Sequence, residues 1–181
     1  SKDKFDTGMF VAKALGAGTY KNAKVALPLD PNVQMVWYRK DLLEAKGLKP
    51  PTNLDELISA AEKLHDPSKD VSGISIAAKK EAQTMVAAIT LLWKEGGEVI
   101  TPDGKFGFDS PAGVKALQTY QRLIKSAPPG VLAYGFTEEL DAFYQGRAAM
   151  VFYWASIGPN ATDPAKSKGA ANVGWAGVPN G

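Results

Sequence analysis

Hydrophobic residues recur at helical spacing in four stretches of the chain. Thr52 and Asp55 have the spacing of a capping box, which predicts a helix from there through Leu64. A second apolar stripe ends at Gly96, and Ser110 before Pro111 opens a third helix as N-cap and first-turn proline. The positions that we expect to face the core are Leu54, Leu57, Ile58, Ala61 and Leu64, then Met85, Val86, Ile89, Leu92 and Trp93, then Val114, Leu117, Tyr120, Leu123 and Ile124.

The fourth helix begins at Thr137, where an acidic first turn suits the helix dipole, and it closes at Gly146. A shorter one over residues 39–44 ends before Gly47. Residues 16–18 predict only a loop. Runs rich in β-forming residues predict strands at 25–29, 33–38, 71–77, 148–153 and 173–178, and a Pro-Asp-Gly turn predicts a hairpin over 98–108. Alternating strands and helices without repeats indicate a layered α/β domain.

Three aromatic residues, Phe152, Tyr153 and Trp154, end the strand that follows Gly146. Strand alternation sends only some of these rings toward a loop. A strand that delivers aromatic rings to its carboxyl end can present a flat stacking surface for a ligand. The feature predicts binding and no chemistry of its own.

Composition narrows the class of protein. The chain of 181 residues is 45% hydrophobic and 22% charged, with 21 basic and 19 acidic residues spread along it for a net charge of +2. These values are ordinary for a soluble globular domain, and they favour neither nucleic acid nor a membrane surface as a partner. We find neither a long apolar run nor a signal peptide, and expect a soluble chain that is already processed or cut from something longer.

The residue types needed for common catalytic and metal sites are scarce. Cysteine is absent, and the single histidine, His65, follows a predicted helix where its ring would complement the helix carbonyls. The segment from Asp103 to Asp109 lacks the alternate oxygen ligands of a calcium loop. The paired acids Asp55/Glu56 and Glu138/Glu139 fall at helix starts, where acids are expected in any case. We predict no catalytic residue, no metal site and no cofactor.

Residues 27–42 resemble the interlobe segment of sugar-type extracellular solute-binding proteins that serve ABC importers. Further blocks resemble that family in the same order along the chain. They are residues 47–57, 93–97, 108–111, 143–150 and 173–179. Each block is weak alone, and their order together is specific.

The resemblance implies the fold and the place of work. It implies a three-layer α/β lobe of the periplasmic-binding-protein type, with a short mixed sheet flanked by helices, incomplete relative to the two-lobe fold of the family. Residues 1–35 would be a remnant of the first lobe and the connector, and residues 36–181 the second lobe. Such receptors close on ligand by hinge bending outside the cytoplasmic membrane.

The resemblance also implies the ligand and the residues that bind it. The expected ligand is a mono- or oligosaccharide, held between the lobes by aromatic stacking and hydrogen bonds, and the expected partner is a membrane permease. Trp154 stands where the family commonly presents a ligand-facing aromatic, although Tyr153 precedes it here where the family often has glycine with a small residue. The other expected contacts are Trp37 and Asn32 on the connector, and Glu81 and Gln83 on the loop before a helix; Trp93 and Trp175 are expected in the core.

Two other classes of function stay open on the residues alone. One is a carbohydrate-active enzyme or its accessory module, which would place two carboxylates about 5 to 10 Å apart across a cleft. The other is a receptor for a peptide or another non-sugar solute, which would need carboxylates in the cleft. Uncovered apolar surface on an incomplete lobe also predicts self-association.

Overall fold

The computed structural model describes residues 6–30 and 32–181. The chain divides into two compact units, Ser1–Val33 and Gln34–Gly181. The assignment of residues 1–35 to a first lobe and its connector stays a prediction.

The first unit contains one short helix and one short β-ribbon. Helix α1 (Ala12–Ala17) is followed by the antiparallel pair β1 (Thr19–Tyr20) and β2 (Ala23–Lys24). The prediction of a plain loop at residues 16–18 is therefore wrong for residues 16 and 17. The predicted strand at 25–29 is absent as well, since these residues pair with no described strand and most of their side chains are exposed.

The second unit is built on a three-stranded antiparallel sheet in the order β4-β3-β5. Its strands are β3 (Gln34–Arg39), β4 (Met150–Trp154) and β5 (Val173–Gly177). Residues 71–77, predicted as a strand, form isolated bridges only: Val71 is antiparallel to Asp66, and Ser72 and Ser75 are parallel to Ala148 and to Val151 of β4. Ser75 exchanges backbone hydrogen bonds with Met150 and Phe152. The parallel bridges make the sheet mixed in direction, as expected.

Six helices of the second unit pack around this sheet. They are α2 (Lys40–Ala45), α3 (Leu54–Leu64), α4 (Ala82–Lys94), α5 (Pro111–Lys125), α6 (Phe136–Tyr144) and α7 (Gly158–Ala161). Ser110 caps α5 as predicted, because its hydroxyl accepts a hydrogen bond from the Gly113 N–H at 3.1 Å. The cap of α3 is Asn53, one residue after the predicted Thr52, and its side chain accepts from the Glu56 N–H at 2.8 Å.

Strand alternation sends side chains to two apolar layers, one on each face of the sheet. Val36 and Phe152 belong to the larger layer, which includes buried residues of α3, α4 and α5. Trp37 and Tyr153 belong to the smaller layer with Phe143 of α6. Helices on both faces of a short mixed sheet are the three-layer lobe that the resemblance implied.

The predicted inward positions are confirmed in α3 and are wrong in part elsewhere. All five predicted positions of α3 are buried. In α4 the buried face instead contains Gln83, Ala87 and Leu91. Met85 is therefore exposed, and Trp93 is 60% exposed. The other positions that were expected in the core and are exposed are Val114 and Leu117 of α5 and Trp175, which is 57% exposed on the edge strand β5.

The predicted hairpin over residues 98–108 is reduced to a tight turn. Gly104 adopts the left-handed backbone conformation with φ of 79°, and the Thr101 N–H donates to the Lys105 carbonyl at 3.0 Å. A single bridge joins Ile100 and Phe106. Both of these side chains are exposed, while Val99 and Phe108 of the same arms are partly buried and pack against the core.

Candidate functional site

Two strands and two helices meet at one edge of the sheet in the second unit. Strands β4 and β5 end where β3 begins, since Trp154 pairs with Gln34 and Gly177 pairs with Met35. Helices α4 and α6 begin there too, as the contacts below show. We call this end the carboxyl edge. Ligands of open α/β layers bind outside the carboxyl ends of strands, which makes this edge the candidate site.

Trp154 is held at the carboxyl edge by two hydrogen bonds. Its indole Nε1 donates to Gln83 Oε1 of α4 at 3.1 Å, and its backbone carbonyl accepts from the Trp37 Nε1 at 3.2 Å. The side chain is half-buried, so part of it remains open to solvent. Because the indole N–H is already engaged, the exposed part offers carbon surface for stacking rather than a hydrogen-bond donor.

Gln83 joins Trp154 to a buried acid. Gln83 is 6% exposed, and its Nε2 donates to Glu139 Oε2 of α6 at 3.1 Å. Glu139 is fully buried, and burial raises its pKa to about 8, with the Gln83 hydrogen bond opposing the rise. Its Oε1 has no hydrogen-bond partner among the described residues. The predicted ligand residue Gln83 is thus occupied by protein groups at both ends of its amide.

Glu81 lies directly before α4 and accepts a hydrogen bond from the first turn of α6. Its Oε1 accepts from the Phe136 backbone N–H at 2.9 Å, which satisfies one of the free N–H groups of the first turn of α6. Its Oε2 lies 3.6 Å from the Lys79 ammonium. A Cβ atom at Gly135 would lie 2.2 Å from Glu81 Oε1, so only glycine leaves room for this contact. Glu81 therefore supports the shape of the edge, and a ligand contact for it stays a prediction.

Of the two neighbouring aromatic residues Tyr153 and Phe136, Tyr153 lies in the core and Phe136 lies at the surface. Tyr153 is 1% exposed, and its hydroxyl donates to the Phe136 carbonyl at 3.0 Å. The two rings pack with centroids 5.1 Å apart, and Phe136 is 53% exposed. A ligand contact for Tyr153 stays a prediction. The burial of its side chain disfavours such a contact. Phe136 is an aromatic of the carboxyl edge that sequence reasoning missed, because it lies outside any strand pattern.

The remaining predicted residues are placed differently. Trp37 is buried in the smaller apolar layer, with its ring 5.8 Å from that of Trp175, and it reaches the edge only through its hydrogen bond to Trp154. Asn32 belongs to the first unit, and its ligand contact stays a prediction. Gln34, also missed, opposes Trp154 in register, and its buried amide atoms have no partner among the described residues.

Metal-binding and membrane-spanning features were also sought. Across residues 6–30 and 32–181, no group of three or more His, Asp or Glu side chains is placed to hold a metal ion. His65 caps the end of α3, where its backbone N–H donates to the Ala61 carbonyl. None of the described helices combines the length and apolar character needed to cross a membrane.

Solved structures share this fold closely. An ABC transporter solute-binding protein from Agrobacterium radiobacter K84 in complex with ribitol is 37% identical with a TM-score of 0.83, covering 93% of this chain and 43% of that chain. Maltose-bound MalE3 of T. maritima is 30% identical with a TM-score of 0.86, covering 99% of this chain and 46% of that chain.

Sequence relatives agree with the structural ones. The mannitol-binding protein of Pseudomonas aeruginosa is 30% identical over 166 residues, which is 88% of this chain and 37% of that protein. The chain thus spans less than half the length of these relatives. The family model for the bacterial extracellular solute-binding protein matches residues 2–181. Because this match covers almost every residue, the chain belongs to the family of bacterial extracellular solute-binding proteins.

Proposed function

We propose that this chain forms most of one lobe of the substrate-binding component of an ABC importer, and that its carboxyl edge binds a sugar or polyol. The observation that carries the proposal is Trp154, a half-buried indole fixed by hydrogen bonds at the edge where β4 and β5 end. A ring held in one orientation loses little conformational freedom on binding, which favours stacking against the C–H face of a carbohydrate.

Two further residues of the edge support a carbohydrate ligand. Phe136 adds exposed aromatic surface beside Tyr153. Gln34, which opposes Trp154 in register, adds an amide whose buried atoms have no partner among the described residues. Ligands named for the structural and sequence relatives, namely ribitol, maltose and mannitol, are of the same chemical class.

We propose binding without catalysis. The acids at the carboxyl edge support this, because Glu81 is engaged by the Phe136 N–H and Lys79, while Glu139 is fully buried. A glycosidase needs two carboxylates that reach the scissile bond from opposite sides. A receptor for peptides or polyamines would need free carboxylates at the same place, so these two acids favour a neutral ligand.

The partners and the compartment follow from the family. We propose a membrane permease as the partner that receives the ligand, and a place of work outside the cytoplasmic membrane, periplasmic or extracellular, either soluble or tethered. With a net charge of +2 spread along the chain, no nucleic-acid partner is proposed. Self-association of the chain stays a prediction.

The test is a titration of the full-length protein with maltose, D-mannitol and ribitol by calorimetry, repeated with Trp154→Ala. We expect at least one probe to bind and the substitution to weaken that binding by about 1 to 3 kcal/mol, since it removes the stacking surface. Trp93→Ala is the matched control, because Trp93 is exposed on α4 at the helix end opposite Gln83. Equal affinity in the wild type and Trp154→Ala would remove Trp154 from the site.

A further inference from the structure

We propose that Glu139 is a positioning residue for the binding surface, which holds the Trp154 indole in its stacking orientation through the Gln83 amide. The inference deepens the function proposed for the carboxyl edge and rests on it. Its physical basis is a chain of two hydrogen bonds that joins three elements, α6, α4 and β4.

The Gln83 amide is the link that needs an orienting partner. A glutamine side chain has one acceptor end and one donor end, and the two can be exchanged by rotation about a single bond. Trp154 Nε1 is a donor and needs the Oε1 end, and Glu139 Oε2 accepts from the Nε2 end. Glu139 therefore fixes which end of the amide faces the indole. Without an acceptor at its position, the rotated amide would face the indole N–H with its own N–H groups.

Burial makes this orientation matter. Gln83 is almost fully buried and Glu139 fully so, and water therefore cannot easily replace a lost partner. A buried donor without an acceptor costs more than the bond itself contributes. When the amide loses its orientation, the indole must either leave its N–H unpaired or move, and either outcome changes the surface presented to a ligand.

The charge state of Glu139 fits the role. Because burial raises its pKa to about 8, Glu139 is protonated and uncharged near neutral pH, and its Oε2 still accepts from Gln83. The titratable groups that act on it are Glu81, before α4, whose charge raises its pKa further, with Tyr120 of α5 and Tyr153 of β4. Above pH 8 the site must hold a buried negative charge, which hydrogen bonds from Gln83 and from the Ala77 backbone favour and which burial opposes. The network should therefore respond to pH in that range.

The first test follows the indole N–H directly and needs no ligand. In the full-length protein labelled with ¹⁵N, the Trp154 indole resonance is assigned with Trp154→Phe and followed from pH 6 to 9.5. We expect a titration with a midpoint near 8 in the wild type. The resonance should not titrate in Glu139→Gln, which keeps a neutral acceptor, and it should be displaced at every pH in Glu139→Leu. The same pH response in the wild type and Glu139→Gln would overturn the proposal.

The second test measures ligand binding at pH 7 with whichever of the three probes binds the wild type. We expect Glu139→Leu to weaken binding by about three- to tenfold, the size of one lost hydrogen bond, and Glu139→Gln to stay within about twofold. Thermal unfolding of each variant separates a misplaced indole from a failure to fold. Should Glu139→Leu not fold, Glu139→Gln still decides through its resonance. Absence of binding by any probe, with the titration present, would overturn the proposed function and leave the network standing.

Discussion

The two ends of the central sheet are built from different kinds of contact. At the carboxyl edge, hydrogen bonds between side chains join Trp154, Gln83 and Glu139. At the opposite end, close packing stands beside an ion pair: a Cβ atom at Gly174 would lie 2.4 Å from the ring of Tyr38, and the Arg39 guanidinium donates to the Asp41 carboxylate at 2.9 and 2.6 Å. Gly169 leaves room for the Arg39 side chain in the same way, with 2.4 Å to its Cδ. The opposite end thus combines close packing around glycines with a partly exposed ion pair, while the carboxyl edge is organised by hydrogen bonds between buried and half-buried side chains.

The difference indicates that the carboxyl edge contributes less to the free energy of unfolding than an apolar edge would, and that it is shaped for binding. Tight apolar packing is the cheaper way to close the end of a sheet, since buried polar groups contribute little net free energy even when they are paired. Both Glu139 and Gln34 belong to the carboxyl edge. Glu139 has one side-chain oxygen without a hydrogen-bond partner, and Gln34 has two amide atoms without one, among the described residues. Buried polar atoms without a partner in the described part of the chain also lie at His65, Ser75, Tyr144 and Ser167, so it is their combination with exposed aromatic rings that distinguishes the carboxyl edge.

The largest effect that separates the two ends is expected from Glu139→Gln. Unfolded Glu139 loses its proton near 4.5, while the folded protein holds it to about 8. Between these values the folded state binds the extra proton, so the free energy of unfolding due to this group falls as pH rises. The total fall is on the order of 5 kcal/mol. Glu139→Gln should remove this loss. Urea unfolding of both proteins at pH 5 and pH 8.5 measures it, and parallel losses in the two would contradict the assignment.

The second effect compares two glycines of β5, one at each end of the strand. Gly174→Ala would drive a methyl group into the buried Tyr38 ring, at a cost of about 1 to 3 kcal/mol in the free energy of unfolding. Gly177→Ala lies at the carboxyl edge with no heavy atom of the described residues within 4 Å of the added carbon, and it should change stability by less than about 0.5 kcal/mol. Equal costs for the two variants would show that both ends of the sheet are packed alike.

Sequence pattern predicted the elements better than it predicted their faces. Helix α3 was predicted with every inward residue correct, because its apolar stripe is continuous and its opposite face is polar. In α4 apolar residues lie on all sides, so spacing alone could not show that Gln83 turns inward and Trp93 outward. The outward position of Trp175 had the same cause, since only the order of the strands puts β5 at an edge.

The candidate site was predictable as a location and not as a network. The run from Phe152 to Trp154 marked the end of β4 correctly, whereas Gln83 was predicted on a loop before a helix and lies in the first turn of α4. Glu139 was read as an ordinary first-turn acid, because nothing in sequence shows that α6 turns this position inward while Glu138 stays outside. The hydrogen bond between Gln83 and Glu139 joins positions 56 residues apart, a separation that no local pattern reports.

The smallest effect tests whether polar contacts hold the aromatic pair of the carboxyl edge. Tyr153→Phe removes the hydroxyl that donates to the Phe136 carbonyl at 3.0 Å, and it should lower the free energy of unfolding by about 1 kcal/mol. Tyr38→Phe is the control from the packed end, where the Tyr38 ring packs against Gly174, and it should cost less than about 0.5 kcal/mol. Urea unfolding at pH 7 measures both. A larger loss in Tyr38→Phe than in Tyr153→Phe would reverse the contrast between the two ends, because hydrogen bonding would then matter more where packing was thought to dominate.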